Sequence, residues 1–511
     1  MPHRILLLLL ACLTFSAAPA QKKLQLPMTY GNSMVLQRNQ PIHLTGHAGP
    51  NERVQATLTD GHGHTLQGEA KADAHGLWHV TLAAQPAGGP YTLTFRTPGE
   101  KRTFTDVWLG EVWVCSGQSN MELTLGSIAP AKRDLETADT LTRLHLMNMP
   151  SPWPVYQQVW SPAFADSLDR HLVHQTGHWA RCNAQTARPF SAIGFHFGRV
   201  LADSLNCHVG LINNAVGGAT TEGWIDSLTL QRTLPEMLRG DWRKNPCIMQ
   251  WARQRADYNL QAADTSRQHR HPYAPTFLYD EALRPIAHHD VRGVLWYQGE
   301  SNADLPDVHR RLFPALEKSW RKAFRSPFLP FLTVQLSSIS TRPIWPEFRN
   351  SQRELADSLS HTWMVVSSDL GDSLDVHPRR KAPIGERLAA TALHQVYGRQ
   401  EVVPCGPTPV MAVAMPRRTV GIRFQWADGL HAQDGHALRT FEVAGSDGRF
   451  HPATRIIVNG SMLLVGVPQE VDRPTEVRYG WQAYSHGNLV NRLGYPCSTF
   501  KMKVRTVARP H

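Results

Sequence analysis

An apolar, β-favouring run from Val107 through Cys115 stops abruptly at Ser116-Gly117 and is followed by Gln118-Ser119-Asn120-Met121-Glu122. Such a run is read as a buried strand. Its end places a hydroxyl at the carboxyl edge of a sheet, where open α/β folds keep their chemistry. After Met121 the sequence turns polar and can begin a helix. A serine on so sharp a strand-to-helix turn exposes its oxygen and aims its own N–H at whatever that oxygen attacks. Ser119 is therefore the candidate nucleophile, although a serine in a polar turn also serves simply as a cap or turn residue.

A serine nucleophile needs a base, a group to orient that base, and donors for an oxyanion. Val209–Asn213 reads as a second strand and ends in Asn214-Ala215-Val216-Gly217-Gly218-Ala219. Paired glycines let the backbone approach a ligand closely and aim an N–H at an oxyanion. Val291–Tyr297 ends in Gln298-Gly299-Glu300-Ser301-Asn302, where Gln298 offers a side-chain N–H to the same oxyanion. Each is also an ordinary βα turn, but together they make three consecutive sheet edges with polar, glycine-bearing tips. After Trp363–Ser367 comes Asp369-Leu370-Gly371-Asp372-Ser373-Leu374-Asp375-Val376-His377-Pro378. Among 26 histidines, His377 is the best candidate base, because it sits in a late loop at this edge. Residues two apart in an extended segment point the same way, so Asp375 can receive the imidazole Nδ1–H and fix its tautomer.

These motifs sit in a chain of 511 residues, for which two or three domains are expected. Residues 1–20 carry Arg4, an apolar run from Ile5 to Phe15 and a small-residue site at Ala18-Pro19-Ala20. That pattern predicts a secretory signal peptide and a periplasmic or secreted protein; a lipoprotein box around Cys12 ranks second. Residues 21–105 show short alternating runs, such as Val54–Leu58 and Trp78–Leu82, and predict a β-sandwich. Residues 106–400 alternate strands with helical stretches (Ile193–Leu205, Asp280–Ala287, Leu312–Phe324, Phe348–Leu359, Ile384–Val396) and predict a parallel sheet with helices on both faces. Within them, 126–189 and 227–271 are rich in Trp, Pro and Arg and read as insertions or loops near the sheet edge. Residues 401–511 return to short strands. There Tyr479-Gly480-Trp481 and Asn488-Leu489-Val490-Asn491 suit sugar binding or core packing nearly equally.

The formal net charge of +11 is spread along the chain, which reads as a solvated surface rather than a nucleic-acid or membrane footprint. Arg349, Arg379 and Arg380 lie near predicted sheet edges, and solvation accounts for them too. The cysteines are widely spaced with no CxxC pair, so no metal site is expected. Cys115 reads as a buried free thiol, and Cys405 with Cys497 as a candidate bridge.

Gly117-Gln118-Ser119-Asn120-Met121, Asn214–Thr220, Trp296-Tyr297-Gln298-Gly299-Glu300-Ser301 and Asp375-Val376-His377-Pro378 together resemble the sialate O-acetylesterase family of the SGNH-hydrolase superfamily. Met34-Val35-Leu36-Gln37-Arg38, Gly76-Leu77-Trp78 and Gly89-Pro90-Tyr91 look like that family's N-terminal β domain, and Val477–Trp481 and Asn488–Asn491 like its C-terminal part. The resemblance implies a flavodoxin-like, SGNH-type catalytic domain with β regions on either side. It implies Ser119 as nucleophile, His377 as base, and an oxyanion hole made by the Ser119 N–H, a Gly217 or Gly218 N–H and the Gln298 amide. For the acid, Leu374 occupies the broad superfamily's aspartate position three before the histidine. Asp375, two before it, fits the Asp-Ile-His form of these carbohydrate esterases. Some relatives use the glutamate of Gln-Gly-Glu, which makes Glu300 the second candidate.

The expected activity is removal of O-acetyl groups from sugars, sialates first, through an acetyl-serine and with no cofactor. An acetylxylan or other plant-polysaccharide deacetylase is the alternative with the same machinery. A non-catalytic carbohydrate-binding protein is the alternative of another class. The expected partner is an acetylated sugar or glycan, with no nucleic acid and no membrane span.

Overall fold

The computed structural model describes residues 23–128, 131–156 and 158–506, so the expected signal peptide and Cys12 lie outside the described residues. The apolar run becomes the buried half of one long strand, β1 (Lys101–Gly117), of 17 residues. Its first half pairs antiparallel with Gly88–Arg96, and Trp108–Gly110 pair in parallel with Val35–Gln37. The expected junction at 105/106 thus falls inside a strand, at Asp106, whose φ is +58°. Upstream, Arg53–Thr59, Thr65–Lys71 and Gly88–Arg96 extend the antiparallel sheet, while Ile42–His47 and Leu77–Leu82 form a separate pair. Leu44, Trp78, Val80 and Phe95 are buried in one core with Val54 and Leu58.

The second half of β1 lies at the centre of the main sheet. With β2 (Leu144–Asn148), β3 (His178–Arg181), β4 (Val209–Asn213), β5 (Gly293–Tyr297), β6 (Phe331–Val334) and β7 (Thr362–Val365), the order is β7-β6-β5-β1-β4-β2-β3. Every neighbouring pair is parallel except β2–β3. Side chains alternate between the faces of a strand, and both faces here are apolar, as a helix-covered parallel sheet requires. Val112, Val114, Val294 and Trp296 pack on one side with Leu312, Leu316 and Trp320 of α3 (Pro306–Ala323). Trp113, Cys115, Leu295 and Tyr297 face the other, with residues of α2 (Ala192–Leu205) and α5 (Ala382–Gln395).

Several elements differ from expectation. The 126–189 stretch is no mere insertion, because it supplies β2 and β3. Helix α3 begins six residues before the expected Leu312, with Pro306 in its first turn, where a missing N–H costs nothing. The expected helix 280–287 is only a short π-type segment, Tyr279–Leu283. Helix α4 (Trp345–Ser358) precedes β7 as the spacing predicts.

Beyond α5, eight strands form one sheet from Thr408–Met415 to Phe500–Thr506, antiparallel except where these two pair. This region is tied to the main one by backbone. Ile339 N–H donates to Ala483 O at 3.1 Å, and Lys501 N–H to the Asn350 carboxamide oxygen at 3.0 Å. The Tyr479 hydroxyl accepts from Leu489 N–H, and the Asn491 amide donates to the Cys405 and Trp426 carbonyls, so these residues pack the region internally. Cys405 and Cys497 are both free thiols, and no bridge joins them. Cys115 is a buried free thiol.

Where β1 passes from one sheet to the other it carries Glu111, fully buried, which gathers Arg38 Nε at 2.6 Å, Arg292 Nε at 3.2 Å and the Tyr397 hydroxyl at 3.0 Å. Removing the acid strands two guanidinium groups and leaves a polar void. Glu111→Ala is expected to lose roughly 3 kcal/mol of stability, read from urea unfolding. A loss below about 0.5 kcal/mol would contradict this account.

Candidate active site

β4, β1 and β5 are neighbours in the sheet, so the three expected turns meet at one edge. At the tip of β1, Gly117 has φ +125°, and a Cβ there would lie 2.1 Å from Tyr297 O. Only glycine allows this approach, which lets Gln118 N–H donate to Tyr297 O at 2.9 Å. The chain then turns into the one-turn helix α1 (Ser119–Glu122), and Ser119 is its first residue.

His377 arrives from the loop after β7. Asp372 Oδ1 accepts the Leu374 and Asp375 N–H groups and folds that loop. Asp375 Oδ1 in turn accepts the His377 backbone N–H at 2.9 Å and faces Nδ1 at 3.1 Å. A carboxylate at Nδ1 assigns the proton to that nitrogen and leaves Nε2 as the acceptor. Nε2 lies 2.9 Å from Ser119 Oγ. The three residues border a cavity of about 580 Å³, together with Glu122, Tyr156 and Arg379.

Glu300 is placed differently. It is buried, and no hydrogen bond joins it to His377 among the described residues; Oε1 instead accepts from Asn120 Nδ2. The same Nδ2 donates to Val376 O at 3.0 Å, while Asn120 Oδ1 accepts from Lys381 Nζ. Burial raises the Glu300 carboxyl above its usual range. Burial also pushes the Lys381 ammonium down to about 7, against the opposing fields of Glu300 and Asp375. Glu300 thus holds the catalytic turns together rather than orienting the imidazole.

The expected Gln298 donor is not presented to Ser119. Its Nε2 donates to Ala219 O at 3.1 Å and to Asn302 Oδ1 at 2.6 Å, and its Oε1 accepts from Thr221 Oγ1. Two N–H groups with two buried acceptors leave none for a ligand. Gly217 lies at the cavity, with its N–H donating to the Glu122 carboxylate and its carbonyl accepting from the Tyr273 hydroxyl at 3.1 Å. Gly218, φ +72°, completes that turn, and its carbonyl accepts from Ser301 Oγ. Of the arginines, Arg349 is fully buried and donates to Ser338 and to the Gly480 and Gln482 carbonyls, whereas exposed Arg379 borders the cavity.

Sequence reasoning passed over Glu122, Tyr156, Asn120 and Lys381. Glu122 was open to discovery, because a residue three after a helical serine shares its face. Tyr156 and Lys381 reach the site only through tertiary packing.

A parallel α/β sheet with a serine, a histidine and an acid aligned at its edge defines the class of carboxylic-ester hydrolases. The family model for "Carbohydrate esterase, sialic acid-specific acetylesterase" matches residues 248–394. The chain is 27% identical over 498 residues to the human sialate O-acetylesterase, covering 89% of this chain and 86% of that protein. It is 26% identical to the mouse sialate O-acetylesterase over 497 residues, covering 89% and 88%. The structure of a carbohydrate acetylesterase from Xanthomonas citri superposes with a TM-score of 0.76 at 29% identity, covering 94% of this chain and 99% of that one. The chain is thus a carbohydrate esterase whose residues 248–394 match the sialic acid-specific acetylesterase family, and it is distantly similar to the sialate O-acetylesterases.

Because the Gln298 amide is committed internally, Gln298→Ala is expected to cost about 1–3 kcal/mol of stability. It should reduce kcat less than tenfold, not the roughly 100- to 1,000-fold that follows loss of an oxyanion donor. Steady-state kinetics beside a urea melt separate the two effects.

Proposed function

We propose that the protein is an exported, periplasmic or secreted serine esterase that removes O-acetyl groups from sialic acids. The alignment of Ser119 Oγ, His377 and Asp375 along one side of an open cavity carries the reading. His377 Nε2 takes the Ser119 proton as Oγ attacks the acetyl carbonyl, and Asp375 supports the imidazolium at Nδ1. The oxyanion forms beside the Ser119 N–H and, once Glu122 gives it up, the Gly217 N–H. The sugar hydroxyl leaves with the proton from His377, and a water activated by the same imidazole releases acetate.

Arg379 supports an anionic sugar. Besides His377 it is the one basic side chain that borders the cavity among the described residues, and no ion pair holds it there. An exposed guanidinium with a free fork suits a sugar carboxylate. Export rests on the N-terminal sequence alone. Among the described residues, no helix is long and apolar enough to cross a membrane.

Ser119→Ala and His377→Ala are each expected to lower kcat by about 10⁴-fold or more with the fold intact, and Ser119 alone should take up an organophosphate label. Full acetate release by pure Ser119→Ala would refute the mechanism. Arg379→Ala should raise KM for 9-O-acetylated sialic acid about tenfold and leave that for acetylated xylan oligomers nearly unchanged. Equal effects on both, or a wild-type preference for xylan, would move the substrate to neutral plant polysaccharides.

A further inference from the structure

Glu122 takes no part in the proton relay, yet it stands in the same cavity. Helix α1 is a single turn, so Glu122 lies on the same side of it as Ser119. The Gly217 N–H donates to its carboxylate. A Cβ at position 217 would meet Glu122 Oε2 at 2.7 Å and overlap the Tyr156 hydroxyl, so backbone, carboxyl and phenol converge on one point. The groups around Glu122 supply no compensating charge nearby. The Tyr273 phenol is buried, and the hydroxyl of Tyr156, whose ring is otherwise exposed, is desolvated against Gly217; both phenols are pushed above the ordinary tyrosine range, and the field of Arg255 opposes the shift in each. Across the cavity stand His377, Asp375 and Arg379. Glu122 makes no ion pair among the described residues.

We propose that Glu122 is a specificity-determining residue whose charge state decides whether the pocket accepts an anionic sugar. The inference rests on the sialate reading and adds a condition to it. As the neutral acid, Glu122 releases the Gly217 N–H to the acetyl carbonyl and can donate its own O–H to a sugar oxygen. As the carboxylate, it holds that N–H and places a negative charge beside the developing oxyanion and opposite the sugar's carboxylate. Both effects oppose catalysis, and the second acts only on an anionic substrate.

Burial pushes the Glu122 carboxyl up to about 7. The sign follows: the residue is neutral below that value and ionised above it. Between pH 6 and pH 8 its ionised fraction rises from roughly one-tenth to nine-tenths. Acetate release from 9-O-acetylated sialic acid and from its methyl ester, the same sugar without the charge, tests the idea directly. Taking the ratio of their kcat/KM values removes whatever acts on both substrates alike.

For the wild-type protein, the ratio of acid to methyl ester is expected to fall about tenfold from pH 6 to pH 8. In Glu122→Gln, which keeps the shape and a donor but cannot ionise, the ratio should stay level. A wild-type ratio that is level over this range overturns the proposal without recourse to any variant. So does a wild-type slope that persists in Glu122→Gln. If neither sugar releases acetate while p-nitrophenyl acetate is cleaved, the sialate reading itself fails and takes this inference with it.

Discussion

The carboxamide of Asn120 joins the three chain segments that the site requires. Its N–H group reaches Glu300 after β5 and the Val376 carbonyl beside the histidine, and its oxygen receives Lys381 from the start of the following helix. Each partner comes from a different sheet edge or loop, and each is buried or nearly so. An unpaired carboxylate and an unpaired ammonium at this depth would each cost several kcal/mol. The amide separates them by one residue and gives a hydrogen bond to each. The Ser119 turn and the His377 loop are therefore held at a set distance by a residue that never meets substrate, and the 2.9 Å contact between Oγ and Nε2 is a product of that brace.

The same logic divides the acidic residues. Asp375 is partly exposed and engages the imidazole from the cavity side. Glu300 is buried behind the turn, where burial favours its neutral form and an amide engages it. The two acids named from the chain order are thus separated by environment into one that faces the imidazole and one that faces the scaffold. Chemistry of the Ser–His–Asp kind needs only the first.

Much of this was legible in the sequence. The abrupt end of an apolar run, the glycine pairs and the Asp375–His377 spacing are local signals, and all belong to turns whose form is dictated within a few residues. The parallel sheet followed from alternation of strands and helices. What was not legible depends on distant chain. Gln298 looks like a donor until Asn302 of its own turn and Ala219 and Thr221 of the neighbouring one close around its amide, a mutual arrangement that residue types and spacing do not disclose. Strands β2 and β3 were hidden in a stretch whose Trp, Pro and Arg content masks two short pairings. Arg349 looks solvated in sequence and is fully buried because the C-terminal sheet folds over it and offers carbonyls.

Strand β1 serves two sheets with one backbone, and its two halves mature at different times. The portion that pairs with Gly88–Arg96 finds its partner as soon as the chain has been made that far. The portion ending at Ser116-Gly117 has no neighbours until β4 and then β5 have been synthesised, long after. During that interval the folded N-terminal sandwich carries an unfinished apolar edge with open backbone donors and acceptors, the feature that chaperones and aggregating chains both bind. The N-terminal region is therefore not a detachable module. Cut at the boundary suggested by composition, the N-terminal region would lose the pairings of Val107–Gly110 with Gly88, Tyr91 and Val35–Gln37, and the catalytic sheet would keep its central strand only as a severed end.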